Sequence, residues 1–297
     1  MGFKSGFASI VGRTNVGKST LLNKIIGQKI VITSDKPQTT RQNLRGVFTN
    51  EVGQIVFVDT PGVHKPKYKL GEFLAEETKM AVPDADVVLF LVDGSVPAGT
   101  GDKWIVENLL TENQNIILVI NKVDLVKDLK KREENVETYK ALFLDKIDVV
   151  KVSAKTGRNI DTLINSIMKH FNDGPKYYDD EAITDQNMRL ITQEIIREKV
   201  LLLTQDEIPH SCAVVINKFE ETSKIVKIQA TIHVEHDSQK GIVIGKKGAM
   251  LKNIGMQARE EIEDMVENKV FLELFVKVSK NWRRNKNLLK DFGYSQE

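Results

Sequence analysis

The stretch Gly12-Arg13-Thr14-Asn15-Val16-Gly17-Lys18-Ser19 constrains this chain more than any other. It fits G-x-x-x-x-G-K-[ST] without a gap, after the apolar run Phe7–Val11 and before a helical pattern, Gly17–Ile26, that Gly27 closes. Such a loop needs a strand to deliver it and a helix to receive it, which commits this part of the chain to an α/β layer fold. Its chemistry is that of a phosphate cradle. Glycines let backbone amides approach phosphate oxygens, and the helix start adds partial positive charge. Lys18 supplies a point charge for β- and γ-phosphates, and the Ser19 hydroxyl is placed to ligate Mg2+.

The surrounding pattern agrees. Val47–Phe48 and Gln54–Val58 read as strands paired through an Asn50–Gly53 turn. Val87–Val92, Ile116–Ile120 and Asp148–Val152 are apolar runs of the kind buried parallel strands show, and Asn159–Phe171 reads as the last helix. The expectation is a doubly wound, mostly parallel sheet of about six strands.

Three more motifs sit where strands end. Asp59-Thr60-Pro61-Gly62 follows Gln54–Val58; the Asp59 carboxylate can hold Mg2+ through water, and the Gly62 amide can face a γ-phosphate. Alone this tetrapeptide is an ordinary turn signal. Asn121-Lys122-Val123-Asp124 follows Ile116–Ile120. The Asp124 carboxylate can accept two N–H bonds from guanine N1 and N2, a donor pair that adenine lacks. Asn121 and Lys122 would tie this loop to the phosphate loop. Ser153-Ala154-Lys155 follows the last strand, and the Ala154 amide could contact guanine O6. In the polar stretch Thr39-Thr40-Arg41, Thr40 is the favoured threonine to close on Mg2+ when a γ-phosphate is present. Ligands bind at this edge of open α/β sheets.

Asn172-Asp173-Gly174-Pro175 breaks the alternation and, with Lys176–Asp180, reads as a linker. Beyond it the order becomes α-β-β-α-α-β: helix Asn187–Thr204, strands Cys212–Phe219 and Ile225–Val234, a short segment to Ile244, helix Ala249–Val266 and strand Val270–Val278. Gly245-Lys246-Lys247-Gly248 is a G-x-x-G between the two later helices. KH domains clamp about four nucleotides of RNA through such a loop. Lys246 and Lys247 can meet phosphates, and Ile242, Val243 and Ile244 can line an apolar face for bases. Lys240–Lys290 carries 12 Lys/Arg against 6 Asp/Glu although the whole chain is only +2, an excess that suits a phosphate backbone. Trp282-Arg283-Arg284 fits either base stacking or a tail whose tryptophan packs on the domain.

On these residues the chain resembles a TRAFAC-class GTPase, and more closely the bacterial Era family, in Gly12–Ser19, Gln38-Thr39-Thr40-Arg41, Asp59–Gly62, Asn121–Asp124, Ser153–Lys155, Glu207-Ile208-Pro209-His210-Ser211 and Gly241–Gly248. The resemblance implies an Era-type G domain over 1–173, a linker over 174–186, a smaller α+β type II KH domain over 187–280 and a basic tail over 281–297. It implies GTP and GDP as ligands of Gly12–Ser19, Asp59–Gly62, Val63, Asn121–Asp124 and Ser153–Lys155. Mg2+ would be held by Ser19, Thr40 and Asp59. Lys18, Thr40, Gly62 and Asn15 would take part in hydrolysis, and RNA would meet Ile242–Gly248. Ras-like proteins place a water-orienting Gln after the glycine of the second motif. Here that position is Val63, so hydrolysis must rely on positioning, the metal and a monovalent cation. Asn15 sits where potassium-using relatives carry Asn, which makes K+ the candidate; His64 is read as a bystander. The implied partner is 16S ribosomal RNA near its 3′ end, and the implied role is maturation of the small ribosomal subunit. Some family members associate with the inner face of the cytoplasmic membrane. A membrane-associated regulatory GTPase with incidental RNA affinity is the alternative, and a monomer is expected.

Composition excludes little but agrees. One cysteine, Cys212, permits no intramolecular disulfide, as expected in a reducing cytosol, and it reads as a buried apolar residue. No apolar run approaches the roughly 20 residues of a spanning helix. The first six residues carry neither an apolar core nor the Ser/Thr of a myristoylation signal, so neither signal is expected.

Overall fold

The computed structural model describes residues 2–33, 41, 44–62, 69–110, 115–144, 146–205 and 208–294. The main division of the chain falls between Asp185 and Gln186, where one compact unit gives way to another.

The first unit runs β1 (Lys4–Val11), α1 (Lys18–Ile26), β2 (Leu44–Thr49), β3 (Gly53–Asp59), α2 (Lys69–Ala81), β4 (Val87–Asp93), α3 (Thr100–Asn108), β5 (Ile116–Asn121), α4 (Leu129–Lys140), β6 (Asp148–Lys151) and α5 (Ile160–Met168). Its six strands lie in the order β2-β3-β1-β4-β5-β6. Only β2 is antiparallel to its neighbour. The β2–β3 hairpin turns on Asn50, whose Oδ1 accepts the N–H groups of Val52 and Gly53, each at 2.9 Å. The run Val87–Val92 is fully buried, as a strand covered on both faces must be. Because β1, β3, β4 and β5 run parallel, the loops after them emerge along one edge. Strand order reverses direction at β1, so the crevice of a doubly wound sheet opens above the loop that follows it.

The segment expected to be a linker is bound to this first unit as far as Asp185. Gln54, fully buried in β3, accepts from the amides of Tyr177 (2.8 Å) and Tyr178 (3.0 Å) and donates to the Tyr178 carbonyl (2.9 Å). The Val47 amide donates to the Ile183 carbonyl (2.9 Å), Thr184 to the Arg45 carbonyl (2.6 Å), and Arg45 pairs with Asp185 (3.0 Å). A polar side chain buried in an otherwise apolar strand needs such partners.

The second unit contains α6 (Met188–Leu203), the short α7 (Ile208–Ser211), β7 (Ala213–Glu221), β8 (Val226–Val234), α8 (Asp237–Ile244), α9 (Ala249–Val266), β9 (Val270–Val278) and α10 (Lys286–Asp291). In its sheet, β8 lies between an antiparallel β7 and a parallel β9. One core joins Ile195, Ile196 and Val200 of α6 to Ile228 and Ile232 of β8 and to Ile254, Ala258 and Ile262 of α9. Cys212 is buried beside that core. Trp282 takes the packing role: it is fully buried, donates Nε1–H to the Ser211 carbonyl at 2.8 Å and stacks on Tyr294 at 5.8 Å. Its indole is therefore not available for base stacking.

Candidate nucleotide and RNA sites

β1 delivers the phosphate loop and α1 receives it. Asn15 (φ 63°) and Gly17 (φ 99°) take the left-handed turn that reverses the chain. A side chain at Gly17 would run into the Asn121 amide. Lys18 folds back over the loop, donating to the carbonyls of Gly12 (3.2 Å) and Arg13 (3.1 Å). Burial lowers its ammonium pKa from 10.5 to about 8, against the opposing pull of Asp59. The cradle thus holds a cation that has lost its water and gains from an arriving anion.

The Ser19 hydroxyl donates to Asp59 Oδ2 at 3.1 Å, and Asp59 is fully buried. Two hard oxygen ligands, one in the first turn of α1 and one at the end of β3, fit a small divalent cation such as Mg2+. The loop after Asp59 is fixed on both sides. Thr60 donates to the Ile10 carbonyl (2.7 Å), and Thr78 of α2 to that of Pro61 (3.3 Å). Gly62 lies against the cradle: an added Cβ would sit 2.8 Å from Thr14 Cγ2 and 3.2 Å from Lys18 Nζ. Thr39, Thr40, Val63 and His64 lie outside the described residues.

The Asn121–Asp124 loop is tied to the cradle as its residue types suggest. Buried Asn121 donates to the Val16 carbonyl at 2.8 Å and accepts the Ala154 amide at 2.9 Å. Lys122, left-handed at φ 60°, donates to the Asn15 carbonyl at 2.7 Å and to Asp93 at 2.6 Å. Although burial opposes it, hydrogen bonds from Lys122 and Ser95 hold Asp93 below the ordinary carboxylate value. Val123 is buried and its amide meets the Val152 carbonyl at 3.3 Å, leaving the neighbouring Asp124 exposed. Ser153 is buried and Lys155 exposed. The Ala154 amide is engaged by Asn121, so a guanine O6 at this place would have to share it.

Three supports were not anticipated. Asp93 closes β4 and anchors Lys122; buried Asp102 of α3 pairs with Arg13 at 2.9 Å; and Tyr139 of α4 donates to the Asp93 carbonyl at 3.0 Å. Only Asp93 left a trace in the sequence, as a carboxylate ending an apolar run.

In the second unit, Gly245 (φ 72°), Lys247 (φ 53°) and Gly248 (φ 80°) make the turn between α8 and α9. Lys246 and Lys247 are exposed. Ile242 is 52% exposed and Ile244 half-buried, but Val243 is fully buried. Val243 therefore faces the core rather than a base, because the segment is helical and the middle of its three apolar residues turns inward. A groove of about 390 Å³ opens beside this turn. It is lined by Leu251, Lys252, Gly255, Met256 and Arg259 of α9, with Leu272 and Leu274 of β9 opposite. Sequence reasoning missed it; the signal was a stripe at spacings of three and four along α9 that mixes aliphatic side chains, cations and a glycine.

A family model described as 50S ribosome-binding GTPase matches residues 7–122, and a KH domain model matches residues 207–283. The class is thereby defined: a P-loop GTPase joined to a KH domain. GTPase Era of Nostoc sp. (strain PCC 7120 / SAG 25.82 / UTEX 2576) is 50% identical over 296 residues, 99% of this chain and 91% of that protein. The crystal structure of an Aquifex aeolicus Era variant bound to GDP·AlF4− superposes with a TM-score of 0.95 at 38% identity, covering 99% of this chain and 100% of that one. A crystal structure of Era with MgGDPNP and nucleotides 1506–1542 of 16S ribosomal RNA matches with the same TM-score, identity and coverage. The chain belongs to the GTPase Era family.

Proposed function

We propose that this protein binds GTP at Gly12–Ser19, Asp59–Gly62, Asn121–Asp124 and Ser153–Lys155, hydrolyses it, and binds 16S ribosomal RNA near its 3′ end as a maturation factor of the small subunit. The observation that carries the nucleotide reading is the convergence of Lys18, Ser19, Asp59 and the Asn121–Asp124 loop on one sheet edge, tied together by Asn121 and Lys122. In this reading Lys18 meets the β- and γ-phosphates, the start of α1 supplies amides, and Asp124 accepts from guanine. Bound Mg2+ would supply charge neutralisation to the transferring phosphoryl group through Ser19 and Asp59. Thr40 and Gly62 would sense the γ-phosphate. Exposed, left-handed Asn15 is the proposed K+ contact, and equal hydrolysis rates in K+ and Na+ would remove it.

The RNA reading is supported by Lys246 and Lys247 at the G-x-x-G turn and by the groove beside it. We take 1–173 as the GTPase domain, 174–186 as the connecting segment, 187–280 as the RNA-binding domain and 281–297 as the tail. We place the protein in the cytoplasm as a monomer. Among the described residues no helix is long and apolar enough to cross a membrane, so any membrane association would be peripheral, a point for vesicle co-sedimentation. The test of the RNA reading is filter binding of an RNA comprising nucleotides 1506–1542 of 16S ribosomal RNA. Lys246→Glu with Lys247→Glu should weaken it and reduce the salt slope by about 0.7 per lost single-strand contact. Unchanged affinity and slope would overturn the assignment.

A further inference from the structure

Asp102 is a fully buried carboxylate in the first turn of α3, a helix outside the nucleotide-binding loops. A buried charge is costly unless it is paired, so an apolar residue would be the default here. Both of its oxygens are aimed. Oδ2 accepts the Gly99 amide at 2.9 Å, which fixes the carboxylate on its own helix. Oδ1 lies 2.9 Å from Nε of Arg13 in the phosphate loop. Glycine keeps the seat for Arg13 open: a Cβ at Gly101 would stand 2.8 Å from Arg13 Cδ. Arg13 also hydrogen-bonds Tyr139 of α4, whose hydroxyl donates to the Asp93 carbonyl at 3.0 Å. Asp93 pairs with Lys122, and Lys122 donates to the carbonyl of Asn15. The circuit thus starts and ends on the phosphate loop, at Arg13 and Asn15. Thr14 stands between those ends and abuts Gly62. A Cβ on Gly62 would lie 2.8 Å from Thr14 Cγ2 and 3.0 Å from Thr14 Cα.

We infer that Asp102 is a positioning residue for phosphoryl transfer, acting through Arg13 to hold Arg13–Asn15 against Gly62 where the γ-phosphate is met. This rests on the nucleotide reading above. Asn15 shows why an anchor is needed: a non-glycine residue keeps a positive φ only where its surroundings over-determine it. Lys18, Asn121 and Lys122 hold the loop by its carbonyls. Asp102 adds a charge pair from α3 to the side chain of Arg13. The stretch it holds lies against Gly62, so its loss should be felt at the transferring phosphoryl group more than in the grip on guanine. A misplacement of about 1 Å in reacting geometry can cost on the order of 100-fold in rate.

The experiment measures the affinity of the full chain for GDP and for GDP·AlF4−, in Mg2+ and K+, together with steady-state GTP hydrolysis. The flat AlF4− group imitates the phosphoryl group in transfer. Asp102→Asn keeps the size of the side chain and an oxygen for the Gly99 amide but removes the charge that pairs with Arg13. It should bind GDP within about threefold of the parent and GDP·AlF4− about tenfold or more weaker, with kcat falling by a like factor and KM little changed. Arg13→Gln should lower the preference for GDP·AlF4− over GDP by the same factor, and the double variant should lose no more than either single one, since the two side chains act as a unit. Equal weakening of GDP and GDP·AlF4− would reduce Asp102 to a structural residue and overturn the inference, as would additive losses in the double variant. Should Asp102→Asn fail to fold, Arg13→Gln decides, and a parental preference there overturns it. If the parent binds both ligands and the variants keep its preference, this inference alone fails; if the parent binds neither, the nucleotide reading fails with it.

Discussion

Replacing Lys18 by Met should destroy nucleotide binding and at the same time stabilise the empty protein. The pKa drop from 10.5 to about 8 says that folding makes the ammonium costly. At about 1.36 kcal/mol per decade of proton affinity, that cost is about 3 kcal/mol at pH 7. Methionine has similar length and no charge. It forfeits two hydrogen bonds, to Gly12 and Arg13, each worth about 0.5–1 kcal/mol net. The first unit of Lys18→Met should therefore gain about 1–2 kcal/mol. The sign with pH is fixed. The folded pKa lies below the unfolded one, so the unfolded chain binds more protons between pH 8 and 10.5, and the parent gains stability with rising pH across that window. The variant should not show this gain, and the difference between the two should shrink toward pH 10. The assay is urea unfolding of nucleotide-free, EDTA-treated protein. Trp104 of α3 reports the first unit in a Trp282→Phe background, because the chain has only these two tryptophans. Adding Mg·GTP should stabilise the parent by mass action and leave the variant unmoved. A variant less stable than its parent at pH 7, with a parallel pH profile, would refute the claim that the cradle holds a strained cation.

Two other outcomes follow from the same structure. Asp124→Asn should exchange the acceptor for a donor and move preference from guanine to xanthine nucleotides, read by competition binding; unchanged preference would remove Asp124 from base recognition. His233 is buried against Ser279 (2.9 Å) and Phe292, and burial, with Lys277 adding to it, pushes its pKa from 6.5 down to about 4. Its folded pKa is depressed, so its contribution to the second unit should be intact above pH 6.5 and lost as pH falls toward 4, about 3 kcal/mol in all. Trp282 fluorescence melts should show a steeper acid limb in the parent than in His233→Gln; identical limbs would count against it.

The sequence made the sheet and the phosphate loop legible because their demands are local. A left-handed Gly17, a strand before it and a helix after it leave a mark within some 20 residues. Long-range supports do not. Nothing near Arg13 announces Asp102, and Tyr139 looks like any helix residue until α4 packs beside β4. Val243 was misplaced because three apolar residues in a row carry no period, and only the helix geometry of α8 sends the middle one inward. The buried end of Trp282 was foreshadowed by Phe292 and Tyr294, which need a shared apolar partner. Gln54 could have revealed that residues 177–185 are held, since a glutamine in an apolar strand must find hydrogen bonds somewhere.

The most direct measurement is equilibrium dialysis of the purified chain against GTP and ATP in Mg2+. Asp124 beside a Lys18–Ser19–Asp59 phosphate site should retain the guanine nucleotide and leave ATP at the level of the Lys18→Met protein. Equal uptake of both, or of neither, would contradict the account at its base.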